Sequence, residues 1–286
     1  MPFVLATFNV LDLFDAGDAA RIERIAAVLR PHAPDAIALQ EVGSNEAVSA
    51  IAKALGGEFS HVLADADARG IRNALLTRRP IVESTILRSP HLVFPRFLRE
   101  DPEPFEGRIP LRRPIPDVVL DAGELGRVRV LVVHFKSRRG TPMRKPSGAT
   151  IPPMTTADLA AGEARAVTWR CAEALFVRRA VDERLGQNPA EQLVVCGDFN
   201  DIGGSLPLRI VAGTAGGDLP RPDRLVSCGD RIPEHERISV NHDDQPAAID
   251  HMLVSPALAP RVERCFYERS SLNVASDHAP LVVRFI

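Results

Sequence analysis

The chain has 286 residues, of which 45% are hydrophobic and 25% charged, the proportions of a globular protein with a sizeable core. Thirty-five basic and thirty-seven acidic side chains leave a formal charge of −2, which excludes a surface-wide polycation wrapped in phosphate backbone. Twelve Phe, one Tyr and one Trp are too few rings for a binder that stacks bases along a single strand.

The N-terminal residues lead straight into a strand pattern, Leu5 to Val10, with Asn9 inside it. Asp18 is placed to cap a helix whose apolar face is Ile22, Ile25, Ala26 and Leu29, and Pro31 and Pro34 stop it. Ala36 to Leu39 reads as a short buried strand. Ser44 caps a second helix through Val48, Ile51 and Leu55, closed by Gly56-Gly57. Ala74 to Leu76 and Ile81-Val82 read as strands around a turn at Arg79-Pro80. Residues 88–116 hold seven prolines and six arginines and are predicted to be loop-rich. Strand signals resume at Val118 to Leu120 and Val128 to Val133. A second basic loop follows over 137–156, and Thr156 is placed to cap a long helix running to Leu185, with Gly186 as its stop. Leu193 to Cys196, Met252 to Val254 and Leu281 to Val283 are the remaining strands, and 203–248 is weakly periodic. Paired strands with few helices between them favour an α/β sandwich over a strictly alternating βαβ fold.

No apolar run approaches the roughly 18 residues of a membrane span. There is no basic leader, and the cysteines (Cys171, Cys196, Cys228, Cys265) are scattered without metal-ligand spacing. The expectation is a cytoplasmic protein without a transmembrane segment or signal peptide.

The informative feature is where the polar residues sit. Apolar runs are followed at once by Gln40-Glu41, by His134-Phe135-Lys136-Ser137 and by Gly197-Asp198-Phe199-Asn200-Asp201. Asp250-His251 opens one strand, and Ser276-Asp277-His278-Ala279-Pro280 precedes the last. Taken singly each has a bland reading: a solvated strand end, an Asn/Asp turn, a satisfied buried amide at Asn9. Together they supply carboxylates, imidazoles, amides and a lysine at strand ends, where open α/β proteins build sites. There is no GxSxG, P-loop or HExxH. That inventory suits metal-assisted hydrolysis of a phosphoester. A hard cation neutralises the phosphoryl oxygens, needs one or two carboxylates, and leaves other groups to orient and deprotonate water.

The ordered set Thr7-Phe8-Asn9, Leu39-Gln40-Glu41-Val42, His134-Phe135-Lys136-Ser137, Gly197-Asp198-Phe199-Asn200, Ile249-Asp250-His251 and Ser276-Asp277-His278-Ala279-Pro280 resembles the endonuclease/exonuclease/phosphatase superfamily over positions 7 to 281. The resemblance implies a four-layered α/β sandwich of the DNase I-like kind. Two packed mixed β-sheets would be flanked by helices in a single domain over 1–286, with the site at one end. It implies a metal-dependent phosphoric ester hydrolase using Mg²⁺, with Mn²⁺ as an alternative. Asn9, Glu41 and Asp277 would be near the metal. Asp198 would activate the water, with Asn200 beside it. His278, oriented by Asp250, and His134 would contact the phosphate. Lys136 and Asn73 would line the substrate cleft.

Substrates compatible with the resemblance are nucleic acid, a phosphorylated small molecule or a lipid headgroup. Leu11 stands where abasic-site endonucleases of the family resemble an Asn or Asp, and His134 where they tend to carry a tyrosine, which weakens a repair reading. The arginines of 88–116 and 137–145 could form a basic rim, or simply a solvated loop face. A catalytically silent binding protein on the same fold is the alternative, and the intact Asn9, Glu41, Asp198, Asn200, Asp250 and His278 argue against it.

Overall fold

The computed structural model describes residues 2–103, 105, 108–214, 221–242 and 245–286, with no side-chain description at 242 and 271. The strands in chain order are β1 (Phe3–Leu13), β2 (Ala36–Val42), β3 (Ser60–Leu63), β4 (Arg72–Thr77), β5 (Ile81–Leu87), β6 (Ile115–Asp121), β7 (Arg127–His134), β8 (Met143–Arg144) and β9 (Thr150–Ile151). They continue as β10 (Gln192–Asp198), β11 (Val226–Ser227), β12 (Val240–His242), β13 (Gln245–Ala247), β14 (Asp250–Val254), β15 (Val262–Tyr267) and β16 (Leu281–Phe285). The helices are α1 (Ala19–Leu29), α2 (Asn45–Leu55), α3 (Thr156–Gln187) and α4 (Leu206–Ala212).

Two six-stranded sheets form the frame, ordered β15-β16-β1-β2-β4-β3 and β11-β14-β10-β7-β6-β5. Each is mixed: β1 and β2 run parallel, as do β7 and β10, and the other neighbours are antiparallel. The side-chain alternation of the strands explains the layering. Phe3, Leu5, Ala36 and Leu75 of the first sheet face Val118, Val130, Val194 and Met252 of the second in one buried cluster. The opposite face of the first sheet, with Ala6, Phe8, Ile37 and Leu39, packs on Ile22, Ile25, Val48 and Ile51 of α1 and α2. The outer face of the second sheet, with Leu131, Val133, Leu193 and Val195, packs on Val177 and Val181 of α3 and Leu208 and Val211 of α4. The result is the expected four-layered α/β sandwich.

The caps of α1 and α2 are as the sequence predicts: the carboxylate of Asp18 accepts from the Arg21 N–H at 3.0 Å and Ser44 Oγ from the Ala47 N–H at 3.1 Å. The cap of α3 is one residue earlier than expected. Thr155, not Thr156, occupies it, because Asp158 accepts from the backbone N–H of Thr155 at 2.9 Å and closes a capping box. Gly186 is helical and the helix ends at Gln187. Residues 203–248, read as weakly periodic, contain α4 and several short segments. No helix of the described residues is long and apolar enough to cross a membrane.

Candidate active site

The strand directions bring the polar clusters to one end. Asn9 and Glu41 lie toward the C-terminal ends of the parallel pair β1 and β2, and His134 and Asp198 end the parallel pair β7 and β10. The antiparallel β14 begins where β10 ends, so Asp250 lies opposite Asp198. His278 sits just before β16, which runs antiparallel to β1.

Local backbone irregularities aim several of these side chains. Glu41 has φ of +64°, and the pairing of β2 with β4 shifts register between Gln40 and Val42. This bulge turns Glu41 out of the strict alternation of its strand. Leu11 and Asp12 also have positive φ, where β1 shifts register against β2, and Asn200 has φ of +52°. Such conformations cost about 1–2 kcal/mol each in non-glycine residues, so they persist only where surrounding contacts enforce them.

Those contacts form one network across both sheets. Asn9 Nδ2 donates to Glu41 Oε1 at 3.3 Å and to Asp198 Oδ2 at 3.1 Å. The Asp12 N–H donates to Glu41 Oε2 at 2.9 Å. Asn200 holds Asp198 twice, through its backbone N–H at 2.7 Å and its amide at 3.0 Å. His134 Nε2 lies 3.4 Å from Asp198 and 3.7 Å from Glu41. Nδ1 of His278 donates to Asp250 Oδ2 at 2.7 Å, which leaves Nε2 as the free ring nitrogen, 4.0 Å from Asp277. Ligand atoms of Asp198, Asp250 and His278 lie within 4.8 Å of one another.

Burial sets the electrostatics. It raises Asp198 to about 7, helped by the neighbouring Asp250 carboxylate and opposed by His278 and the amide donors. Glu41 is raised by burial and then by Asp12. His134 is held well below the ordinary imidazole value by burial and by Arg113, His278, Arg112 and Arg69. Burial also disfavours charge on His278, but Asp250, Asp198 and Asp277 outweigh it and lift the ring to about 10. The site therefore contains one neutral and one protonated imidazole.

The carboxylates fit a divalent cation. Glu41, Asp198, Asp250 and Asp277 are drawn together, Asp250 Oδ1 is buried without a hydrogen-bond partner, and burial keeps Asp198 and Glu41 from ionising freely. Oxygen donors of this kind suit a hard ion. Two groupings compete for it, Asp198–Asp250–His278 and Glu41 with Asn9. In the first, the ring of His278 is held protonated beside Asp250 and offers a cation no lone pair; the second offers the Glu41 carboxylate beside the Asn9 amide.

Two candidate residues lie beside the network, not in it. The Lys136 ammonium donates to Ser137 O, Ser137 Oγ and Arg139 O at 2.9, 3.1 and 2.8 Å, and burial and then Arg112 and Arg170 lower it to about 8. Asn73 pairs in register with Gln40, donates to Pro114 O at 3.1 Å and leaves its buried Oδ1 without a partner. Asp201 and His251 belong to the scaffold: Asp201 pairs with Arg170 at 3.0 Å and its carbonyl lies 2.9 Å from His251 Nε2. Of the histidines outside the motifs, His32 pairs with Glu268 at 2.9 Å, His61 lies 3.0 Å from Asn45, and His235 is exposed; the side chain of His242 lies outside the described residues.

Several supporting groups complete the site, most of them outside the motifs. Buried Arg113 donates to the Phe135 and His134 carbonyls at 2.9 and 3.3 Å and pairs with Asp67 at 3.5 Å. Glu173 of α3 accepts from the Lys136 N–H at 2.7 Å. The single tyrosine, Tyr267, donates to Asp250 O at 2.7 Å, and Ser276 Oγ donates to Asn9 O at 2.8 Å. Ser276 lies within the motif that precedes the last strand, and Arg113 in the Pro/Arg-rich stretch; Glu173 and Tyr267 carry no such signal.

Comparisons with known proteins agree with this fold. Residues 6–278 match the profile of the Endonuclease/Exonuclease/phosphatase family. Similar solved structures include TDP2 from C. elegans, at 16% identity and a TM-score of 0.64, covering 100% of this chain and 75% of that one. An endonuclease/exonuclease/phosphatase from Beutenbergia cavernae DSM 12333 aligns at 18% identity and a TM-score of 0.61, covering 99% of this chain and 71% of that one. One from Bacteroides vulgatus aligns at 17% and 0.61, covering 100% and 99%. At these identities the structures support the fold alone. No curated protein matches the chain in sequence.

Proposed function

The chain belongs to the Endonuclease/Exonuclease/phosphatase family, and on that premise we propose that it hydrolyses a phosphodiester or phosphomonoester by attack of an activated water. The observation that carries the reading is the joining of Glu41 and Asp198 through Asn9, with the protonated His278–Asp250 pair alongside. Glu41 and Asn9, with Asp277 near them, would hold a Mg²⁺ or Mn²⁺ ion. Such an ion supplies positive charge that neutralises the phosphoryl oxygens and the departing alkoxide.

The protein's own groups do the rest. Asp198, raised to about 7, takes the proton of the attacking water, and a base poised near neutrality transfers protons efficiently. Asn9 and Asn200 fix its carboxylate. Asp250 holds His278 charged, with Nε2–H directed at a phosphoryl oxygen. His134, kept neutral, contacts the phosphate as a hydrogen-bond donor without adding charge. Lys136 and Asn73 border the cleft. The substrate is nucleic acid, a phosphorylated small molecule or a lipid headgroup, handled by one domain in the cytoplasm; the cysteine usage supports that compartment.

The test is release of p-nitrophenol from bis-p-nitrophenyl phosphate and p-nitrophenyl phosphate with Mg²⁺, with Mn²⁺ and with EDTA. Turnover should need the metal, and Asp198→Asn and His278→Ala should each lower kcat about 1,000-fold with little change in melting temperature. No metal-dependent release from either ester would identify instead a silent binding protein on this fold.

A further inference from the structure

A cavity of about 390 Å³ opens between the β8–β9 hairpin and the first turns of α3. Its described lining comes from 140–165, a stretch described without a gap. Pro142, Met143, Ile151, Pro152, Met154 and Leu159 give it an apolar surface. Of these, Met143, Met154 and Leu159 are 54, 84 and 58% exposed, although a fold usually hides such side chains. Scattered singly they would mean nothing, but gathered on one cavity they mark a contact surface.

Backbone contacts hold the walls. The Thr141 N–H donates to the Gly162 carbonyl of α3 at 2.9 Å, and a Cβ placed on Gly140 would stand 3.4 Å from the Gly162 carbonyl carbon, so the loop lies directly on the helix. Met143 pairs with Ile151 across the hairpin. Two charged side chains share the wall. The Asp158 carboxylate is taken up by the helix cap, accepting from the Met154 and Thr155 N–H groups at 2.9 Å each. Arg165 Nε donates to Thr141 O at 2.8 Å and leaves a positive charge beside the apolar surface.

The same loop joins the pocket to the active site. The Lys136 and Ser137 carbonyls accept from Arg170 Nη1 of α3 at 3.4 and 3.2 Å, and the Lys136 ammonium donates to Arg139 O at 2.8 Å. Gly162, under the pocket end of the loop, precedes Arg170 by eight residues, about 12 Å along the helix. Residues 136–165 carry six lysines and arginines against two carboxylates, so the local charge favours an anionic group next to the apolar surface.

We infer that this cavity takes the aliphatic chain of a phosphate-bearing amphiphile, with the phosphate toward the active site, so that the substrate is a phosphoester with an apolar tail. The inference rests on the phosphoesterase reading above and specifies its substrate class. The volume is that of a small-ligand pocket. Unbranched methionine side chains adapt to a flexible chain. An aliphatic chain, unlike a sugar or a further phosphate, loses no hydrogen bonds to water by entering an apolar wall.

Calorimetric titration in EDTA, where turnover is blocked, tests it with butyl, hexyl, octyl and decyl phosphate, each kept below its micelle-forming concentration. Affinity should rise about fourfold per added CH₂ and level off once the chain fills the cavity. 1-Octanol should bind at least tenfold more weakly than octyl phosphate. The Met154→Asn/Leu159→Asn double variant changes two exposed side chains, so it should keep the wild-type melting temperature while losing tenfold or more in affinity for octyl phosphate. Val82→Asn, an exposed apolar site on the edge strand β5, should lose less than twofold. Affinity that does not rise with chain length, equal binding of 1-octanol, or equal losses in the double variant and the control overturns the inference. Because the readout is binding, the two readings fail separately. Chain-dependent binding without any hydrolysis of p-nitrophenyl esters leaves the pocket standing and removes the phosphoesterase reading. Hydrolysis without chain-dependent binding removes the pocket alone.

Discussion

Glu173 never meets the substrate, yet it is the most informative titrating group outside the site. It is fully buried on α3, and burial raises its carboxyl from 4.5 to about 7, against the opposing pull of the Lys136 N–H and of Arg113 and Arg112. A carboxyl raised on folding binds its proton more tightly in the native state. Its contribution to stability is therefore complete below about pH 4.5, declines as pH rises toward 7, and is gone above that. Denaturant midpoints measured at pH 4.5 and pH 8 should show a decline in wild type that exceeds that of Glu173→Gln by up to about 3 kcal/mol. Equal declines would mean that Glu173 is ionised in the fold. Groups of this kind explain what the sequence left hidden. Asn9, Glu41, Asp198 and His278 were legible because each interrupts or abuts an apolar run, where a polar residue needs a reason. Glu173 and Arg113 sit in a long helix and a proline-rich loop, and their partners lie 37 and 22 positions away, so neither has a local signature.

At the scale of the elements, β10 and β7 approach closely where the site is made. Gly197, with φ of +144°, precedes Asp198, and a Cβ placed on it would stand 1.9 Å from the Val133 carbonyl oxygen. The backbone of β7 cannot retreat without moving His134. Gly197→Ala should lower stability by about 3 kcal/mol, read as a shifted denaturation midpoint, through overpacking and a disfavoured φ together. A change below about 0.5 kcal/mol would show that the strands can separate freely. Strong periodicity made α1, α2 and the central strands readable. β3 and β15 were missed because edge strands here alternate too weakly, as the half-buried Ser60–Leu63 shows. The seven-residue α4 is too short for its period to stand out. The misplaced α3 cap has a simple cause: Thr155 and Thr156 are adjacent, and only the distance to Asp158 decides between them.

For the whole molecule, the proposed cation is also a folding ligand, because Asn9, Glu41 and Asp277 come from β1, β2 and the approach to β16 and are not clustered in the unfolded chain. Mg²⁺ or Mn²⁺ at 100 times its Kd should stabilise the fold by about 2.7 kcal/mol, seen as a higher melting temperature that EDTA reverses. Glu41→Gln should abolish the shift. An equal shift in that variant would place the ion elsewhere, with Asp198, Asp250 and His278 as the competing set. The sandwich architecture was legible through the motif order, whereas the packing of one sheet on the other rests on contacts that no local pattern displays. The chain order of those sheets has a temporal consequence. The second sheet is one continuous stretch, from Ile81 to Val254, nested inside the first. The first is completed only when β16 slots between β15 and β1. During synthesis from the N-terminus the second sheet can close while the first still lacks an inner strand. His278 arrives with that last strand, so a nascent chain that has passed residue 198 holds Glu41 and Asp198 without the imidazolium beside them, and the proposed hydrolytic chemistry would become available only once that strand docks.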